Sequence, residues 1–249
     1  MDFSTWYTSK HGYAPFPWQL RLAHQVRSGQ WPEEVTLPTG TGKTSVVDIW
    51  AWAHDARISG IPTRLCYVID RRLVVDSVTA HAESLGVNVV KMRGGMLLDD
   101  SWLMDPQQPT VIVSTVDQVG SRLLWRGYGI SARVSPVHAG LIGNDTLIVL
   151  DEAHISTPFA TTLEEIKRYR QDTLGLPWQV GRMTATPTGD EGFSLNQDDW
   201  THPVLKSRLE AQRLANLDSA AEDAFISKMV THAEQLRADG AQVVGVVCN

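Results

Sequence analysis

Short apolar runs alternate along this chain with longer stretches in which apolar residues recur every three or four positions. The runs fall at residues 34–37, 64–69, 87–90, 110–114, 146–150 and 178–183, each four to six residues long and rich in Val, Ile and Leu. Such runs predict strands buried inside a sheet. The stretches between them predict helices. The clearest follows Lys43, where Val46, Val47, Ile49, Trp50 and Ala53 share one helical face until Gly60-Ile61-Pro62 ends it. Strand and helix in alternation predict an α/β fold with a parallel sheet. Right-handed crossovers gather the loop after each strand at one edge, where ligands bind.

The alternation breaks at residue 188. Residues 188–220 are polar and rich in Asp, Gly and Asn, and they read as a linker or insertion. Helical spacing resumes over 221–239, Gly240 supplies a cap, and residues 242–249 read as a strand. The expected organisation is a first domain over 1–187, the linker over 188–220, and over 221–249 the beginning of a truncated second domain.

Composition narrows the classes. A length of 249 residues fits one domain or one and a half. The net charge of −6 argues against a globally basic nucleic-acid coat and leaves room for a local basic groove. Cys66 and Cys248 both lie in apolar runs and read as buried, reduced thiols. No leader-like segment opens the chain and no run approaches ~20 apolar residues. The expectation is a cytoplasmic protein with no membrane partner. The nine tryptophans read mostly as core filler.

Two motifs carry the chemistry. In Leu37-Pro38-Thr39-Gly40-Thr41-Gly42-Lys43-Thr44, a glycine turn stands between a strand and a helix. Its backbone N–H groups can cradle phosphates at the helix N-terminus. Residues Thr39 to Thr44 are the candidate ATP site, with Lys43 reaching the β- and γ-phosphates and Thr44 placing its hydroxyl on Mg²⁺. Leu37 stands where the pattern usually has Gly, a position expected to pack on the sheet. Asp151-Glu152-Ala153-His154 follows the apolar run 146–150. Asp151 thus emerges at the sheet's carboxyl edge as the second magnesium-side ligand, and Glu152 can orient or deprotonate a water. The plainer reading, two carboxylates capping the next helix, loses ground beside the phosphate loop.

Further stations share that edge. Thr184 and Thr186, in Thr184-Ala185-Thr186-Pro187, can couple to His154 and Glu152. Gln19, in Phe16-Pro17-Trp18-Gln19, can read the adenine edge while Trp18 or Phe16 covers the ring. Arg71, Arg72, Arg93, Gly94, Thr115 and Gln118 offer guanidinium, backbone N–H and hydroxyl groups to a nucleic-acid backbone. Helix caps and solvated loops are the bland alternatives for these. His54-Asp55 has no partner at ligand spacing and is rejected as a metal site.

Taken together, these motifs resemble superfamily 2 helicases of the DEAH-box type, over about the first three quarters of the chain. Within that superfamily the chain looks most like the CRISPR-associated helicase–nuclease of type I systems. Three segments carry the narrower likeness: Phe16-Pro17-Trp18-Gln19, the stretch from Tyr67 to Asp76, and Thr115-Val116-Asp117-Gln118-Val119. The resemblance implies a RecA-like P-loop NTPase domain, helices on both faces of its sheet, and the start of a second RecA-like domain. It implies catalytic roles for Lys43, Asp151, Glu152 and His154, with ATP and Mg²⁺ as cofactors. It also implies translocation along single-stranded DNA displaced by a guide-RNA surveillance complex, with an HD-type nuclease fused or separate. The arginine that completes such an ATP site belongs to a second domain, so this chain alone is expected to hydrolyse ATP slowly. Two alternatives share the motifs: another superfamily 2 translocase, such as a restriction-system motor, and a non-catalytic nucleotide- or DNA-binding module.

Overall fold

The computed structural model describes residues 1–70, 72–95, 99–170, 176–186, 192–211 and 218–246, without the side chains of Arg72, Leu73 and Glu222. Arg71, the Arg72 side chain, Pro187 and Cys248 therefore lie outside the described residues.

The six expected strands form, as β1 (Glu34–Thr36), β2 (Arg64–Ile69), β3 (Asn88–Met92), β4 (Thr110–Thr115), β5 (Thr146–Leu150) and β6 (Trp178–Thr184). A short β7 (Phe193–Ser194) joins them. The sheet runs β3-β4-β2-β5-β6-β1-β7, and every pairing is parallel. β2, β4 and β5 are buried along their whole length, as their unbroken apolar runs require.

Strand periodicity sorts the core into two faces. Leu65, Tyr67, Ile69, Val111, Val113, Leu147 and Val149 pack with α1 (Phe3–His11), α2 (Pro17–Val26), α3 (Val46–Asp55) and α4 (Arg72–Ser84). Cys66, Val68, Ile112, Ile148 and Leu150 pack with α5 (Val116–Leu123), α6 (Ser135–Ile142) and α7 (Thr157–Arg170). The fold is the expected three-layer α/β arrangement. In α3 every residue from Val46 to Ala53 is buried, so it is an internal helix rather than a surface one. Seven of the nine tryptophans are buried; Trp125 and Trp200 are exposed. Cys66 is buried, and burial pushes its thiol up to about 12.

The compact first unit runs from Met1 to Glu210. Part of the stretch read as a linker is therefore built into it. Residues 193–209 form β7, α8 (Gln197–Thr201) and α9 (Pro203–Leu209), and Phe193 and Leu205 are buried in the first core face. The polar composition was misleading because the apolar anchors are few and widely spaced. The second unit, from Ala211 to Asn249, contains α10 (Phe225–Ala238), which buries none of its residues. Residues 242–246 carry no strand, against expectation. A strand needs a neighbour for its backbone groups, and among the described residues none pairs there. No helix among the described residues is long and apolar enough to cross a membrane.

Candidate functional site

β1 delivers the chain into the phosphate loop. Leu37 donates its N–H to the Thr184 carbonyl at 2.9 Å, and its side chain is fully buried in the core. An apolar residue there serves the sheet rather than the ligand. Gly40 and Gly42 adopt φ of 86° and 84°, left-handed values that a side chain would resist. Thr41 is buried, and its hydroxyl donates to the Pro38 carbonyl at 2.8 Å. Lys43–Ser45 makes a 3-10 turn that leads into α3. Thr41 is thus a brace of the loop, while Lys43 and Thr44 stay partly accessible.

β5 delivers Asp151 and Glu152 to the same edge. Lys43 Nζ donates to Glu152 Oε1 at 2.7 Å, joining the two motifs across 109 positions. Glu152 sits at φ 50°, an uncommon conformation for a side-chain-bearing residue and a form of strain found often at functional sites. Asp151 is buried and accepts from the Tyr67 hydroxyl at 2.9 Å and from the Glu152 N–H at 3.0 Å. Burial raises the Asp151 carboxyl above its ordinary value, and the Tyr67 hydrogen bond opposes the rise. Burial also holds Tyr67 well above the usual phenol range, with the Asp151 charge adding to it.

That donor set fits Mg²⁺. Thr44 and Asp151 supply two hard oxygens, and such an ion takes its remaining positions from phosphates and water. Among the described residues no group of three or more His, Cys, Asp and Glu is arranged to hold a metal ion.

A cleft of about 420 Å³ opens beside these groups, lined by Thr39, Asp70, Asp151, Glu152, His154 and Ala185 among others. His154 Nδ1 lies 3.6 Å from Glu152 Oε2 and 3.4 Å from Thr184 Oγ1. Thr184 Oγ1 donates to the Thr186 carbonyl at 2.9 Å and accepts the Thr186 N–H at 3.2 Å. The carboxylate turn and the end of β6 are therefore in contact through His154. Thr186 joins through its backbone.

The adenine station differs from its expected use. Gln19 is buried; its Oε1 accepts from the Phe16 N–H at 2.7 Å and its Nε2 donates to Ser45 Oγ at 2.7 Å. Trp18 is fully buried, and its indole N–H donates to the Thr41 carbonyl at 3.0 Å. Both residues support the loop from behind. Phe16 alone of the trio keeps a partly accessible ring.

The nucleic-acid stations are also partly internal. Gln118 is buried, and its Oε1 accepts from Arg122 at 2.5 Å. Thr115 ends β4 and is buried. Arg93 pairs with Asp76 at 3.1 Å, and Gly94 lies in the following turn. The Lys91 and Arg93 cations together hold the Asp76 carboxyl below its ordinary range. Arg93, Gly94 and Thr115 follow β3 and β4 at the carboxyl edge. In the His54-Asp55 pair, rejected above as a metal site, His54 bonds the Pro62 carbonyl at 2.7 Å and Asp55 accepts from Trp6 Nε1 at 2.7 Å.

Three site residues were missed. Tyr67 sits inside an apolar run and gives no local signal. Asp199, on α8, is buried and accepts from the Trp18 N–H at 2.6 Å, from Arg21 at 2.5 Å and from the Asn196 N–H at 2.9 Å. Arg208, on α9, donates from Nη1 to the Gly40 carbonyl at 3.1 Å.

Sequence-family comparison matches residues 17–189, more than half of the chain, to ResIII, the type III restriction enzyme, res subunit. No curated protein matches the chain. Among solved structures, the DUF1998 helicase MrfA bound to DNA is similar at TM-score 0.53 and 16% identity, over 76% of this chain and 25% of that one. The UvsW helicase from bacteriophage T4 aligns at TM-score 0.45 and 12% identity, over 70% of this chain and 53% of that one. The first likeness establishes the RecA-like helicase fold; this chain spans about a quarter of that protein's length.

Proposed function

This chain belongs to the family of the type III restriction enzyme res subunit, and from that premise we propose that it is the ATP-binding domain of a superfamily 2 nucleic-acid motor. The observation that carries the proposal is the closure of the two motifs on one point. Lys43 meets Glu152 at 2.7 Å, and the Tyr67 hydroxyl holds Asp151 at 2.9 Å beside them. Lys43 takes the β- and γ-phosphates as they enter the loop. Thr44 and Asp151 would hold Mg²⁺, which would neutralise charge on the triphosphate. Glu152, released from Lys43, orients a water toward the γ-phosphate. His154 and Thr184 connect that event to β6 and the cleft.

A transition-state arginine from a second domain is typically worth ~10³–10⁵ in rate in related nucleotide hydrolases. Residues 1–249 assayed without such an arginine are expected to bind ATP–Mg²⁺ weakly and to turn it over slowly. The test is an ATPase and nucleotide-binding assay, with and without single-stranded DNA. Lys43→Ala removes both binding and residual turnover. Activity that survives this change belongs to another site and defeats the proposal.

Two finer readings follow from different observations. The segments around Phe16, Tyr67 and Thr115 support a CRISPR-interference helicase in antiviral defence, acting on DNA displaced by a guide-RNA surveillance complex and working with an HD-type nuclease. The family's own name supports a restriction-system motor. Pull-down with a guide-RNA complex bound to its target separates them: association favours the first, and its failure favours the second.

A further inference from the structure

In β2 the fully buried side chain of Tyr67 carries a hydroxyl into the core. Packing asks only for the ring; a buried hydroxyl needs a partner. Parallel pairing sets Tyr67 opposite Val149, and period-two alternation puts Asp151, two residues on, on the same face of the sheet. The hydroxyl therefore reaches Asp151 Oδ2, at 2.9 Å. The Asp151 N–H donates to the Val68 carbonyl at 2.9 Å, so β2 holds this residue by its backbone and by its side chain. The other carboxylate oxygen, Oδ1, accepts the Glu152 N–H at 3.0 Å. The next N–H, of Ala153, donates to the Met183 carbonyl of β6 at 2.9 Å. Glu152 is thus pinned on both sides in its left-handed conformation, at φ 50°.

We infer that Tyr67 is a positioning residue: its hydroxyl sets the rotation of the Asp151 carboxylate on the magnesium side and, through that carboxylate, the turn that aims Glu152. The inference rests on reading the two motifs as a nucleotide–magnesium site. An ionised carboxylate offers about four acceptor directions on its two oxygens. Tyr67 fills one on Oδ2 and Glu152 one on Oδ1, and each oxygen keeps another for the metal side. Without the hydroxyl, the Glu152 N–H alone would hold the Asp151 side chain, whose terminal torsion is broad by nature. The carboxylate could then turn, and the backbone of Glu152 would turn with it. A phenylalanine would serve the core equally well, so the hydroxyl is the part that the site uses. Groups that stand behind a metal ligand in this way typically change metal affinity or activity by 10–100-fold when they are removed.

The experiment titrates ATP into the full chain by calorimetry, once with Mg²⁺ and once in EDTA, and reads the ratio of the two affinities. In the unaltered chain Mg²⁺ tightens ATP. Tyr67→Phe lowers that advantage by about tenfold and leaves binding in EDTA unchanged within about twofold. Asp151→Asn lowers it too, and adding Tyr67→Phe to Asp151→Asn costs nothing further, because the two residues act as one unit. A merely structural tyrosine weakens ATP alike with and without Mg²⁺, and its cost adds to that of Asp151→Asn. Either result overturns the inference, as does an unchanged advantage. Fluorotyrosine at position 67 gives a second readout that keeps the hydroxyl. Its fluorine resonance moves when Mg²⁺ joins bound ATP and stays when ATP binds in EDTA; a resonance indifferent to Mg²⁺ also overturns the inference. Failure of the nucleotide-site reading looks different: the unaltered chain then binds ATP in neither condition, or Lys43→Ala changes nothing.

Discussion

Glu152→Gln separates nucleotide binding from hydrolysis, because Glu152 holds the lysine that the phosphates need. Lys43 Nζ and Glu152 Oε1 stand 2.7 Å apart, with the lysine side chain 10% exposed and the glutamate 32%. At an effective dielectric of ~20, two unit charges at that distance attract by about 6 kcal/mol before desolvation and side-chain entropy are subtracted. A charge-assisted hydrogen bond nets about 1.5–3 kcal/mol, and the partly exposed glutamate places this one toward the lower end. An incoming triphosphate must replace that pair. Removing the glutamate charge while keeping its shape therefore tightens ATP by roughly 5–15-fold, or about 1–1.5 kcal/mol. The same change removes the group that orients the water, so turnover falls by ~10²-fold or more. Titration calorimetry in low salt reads the first effect and phosphate release the second. The gain in affinity shrinks in high salt, which screens the pair. Weaker ATP binding by the variant would refute the competition, and unchanged turnover would refute the assignment of Glu152.

Two further variants examine what holds the site together. Asp151 has a carboxyl raised by burial, so the folded state binds its proton more tightly than the unfolded chain does. Its ionised form therefore costs stability, and the cost grows as pH rises from the ordinary carboxylate value through the raised one. Without Mg²⁺ at pH 7–8, Asp151→Asn melts higher than the unaltered chain, and the advantage closes as pH falls toward ~4. A lower melting temperature at pH 8 would contradict this sign, and the variant should also lose Mg²⁺-dependent ATP binding. Asp199→Ala strands the buried Trp18 N–H and leaves Arg21 without its carboxylate partner, at a cost of about 2–3 kcal/mol in urea unfolding. A loss below ~0.5 kcal/mol would show that α8 is not the anchor described.

How far the sequence can be read depends on how far apart the interacting partners lie. The sheet was legible because each buried strand writes its own apolar run, and 146–150 needs no distant partner to look like a strand. The phosphate loop was legible for the same reason: Gly40 and Gly42 meet local backbone demands. Gln19 was placed beside the loop, but its use was not readable, because the group that occupies its amide, Ser45, lies 26 positions away. Tyr67 was hidden more deeply. In an apolar run a tyrosine reads as core, and its hydroxyl acquires a role only when β5 brings Asp151 alongside β2, 84 positions later. The extreme case is Asp199, whose bond to the Trp18 backbone spans 181 positions. Asp198-Asp199-Trp200 has the composition of a solvated linker, and only one of its two carboxylates is buried. Composition averages over such a pair, whereas burial distinguishes its members. The residues that bind α8 and α9 to the site could therefore emerge only from the folded chain, and Arg208, exposed and charged, would pass for a solubilising side chain at any stage before its contact with Gly40 was seen.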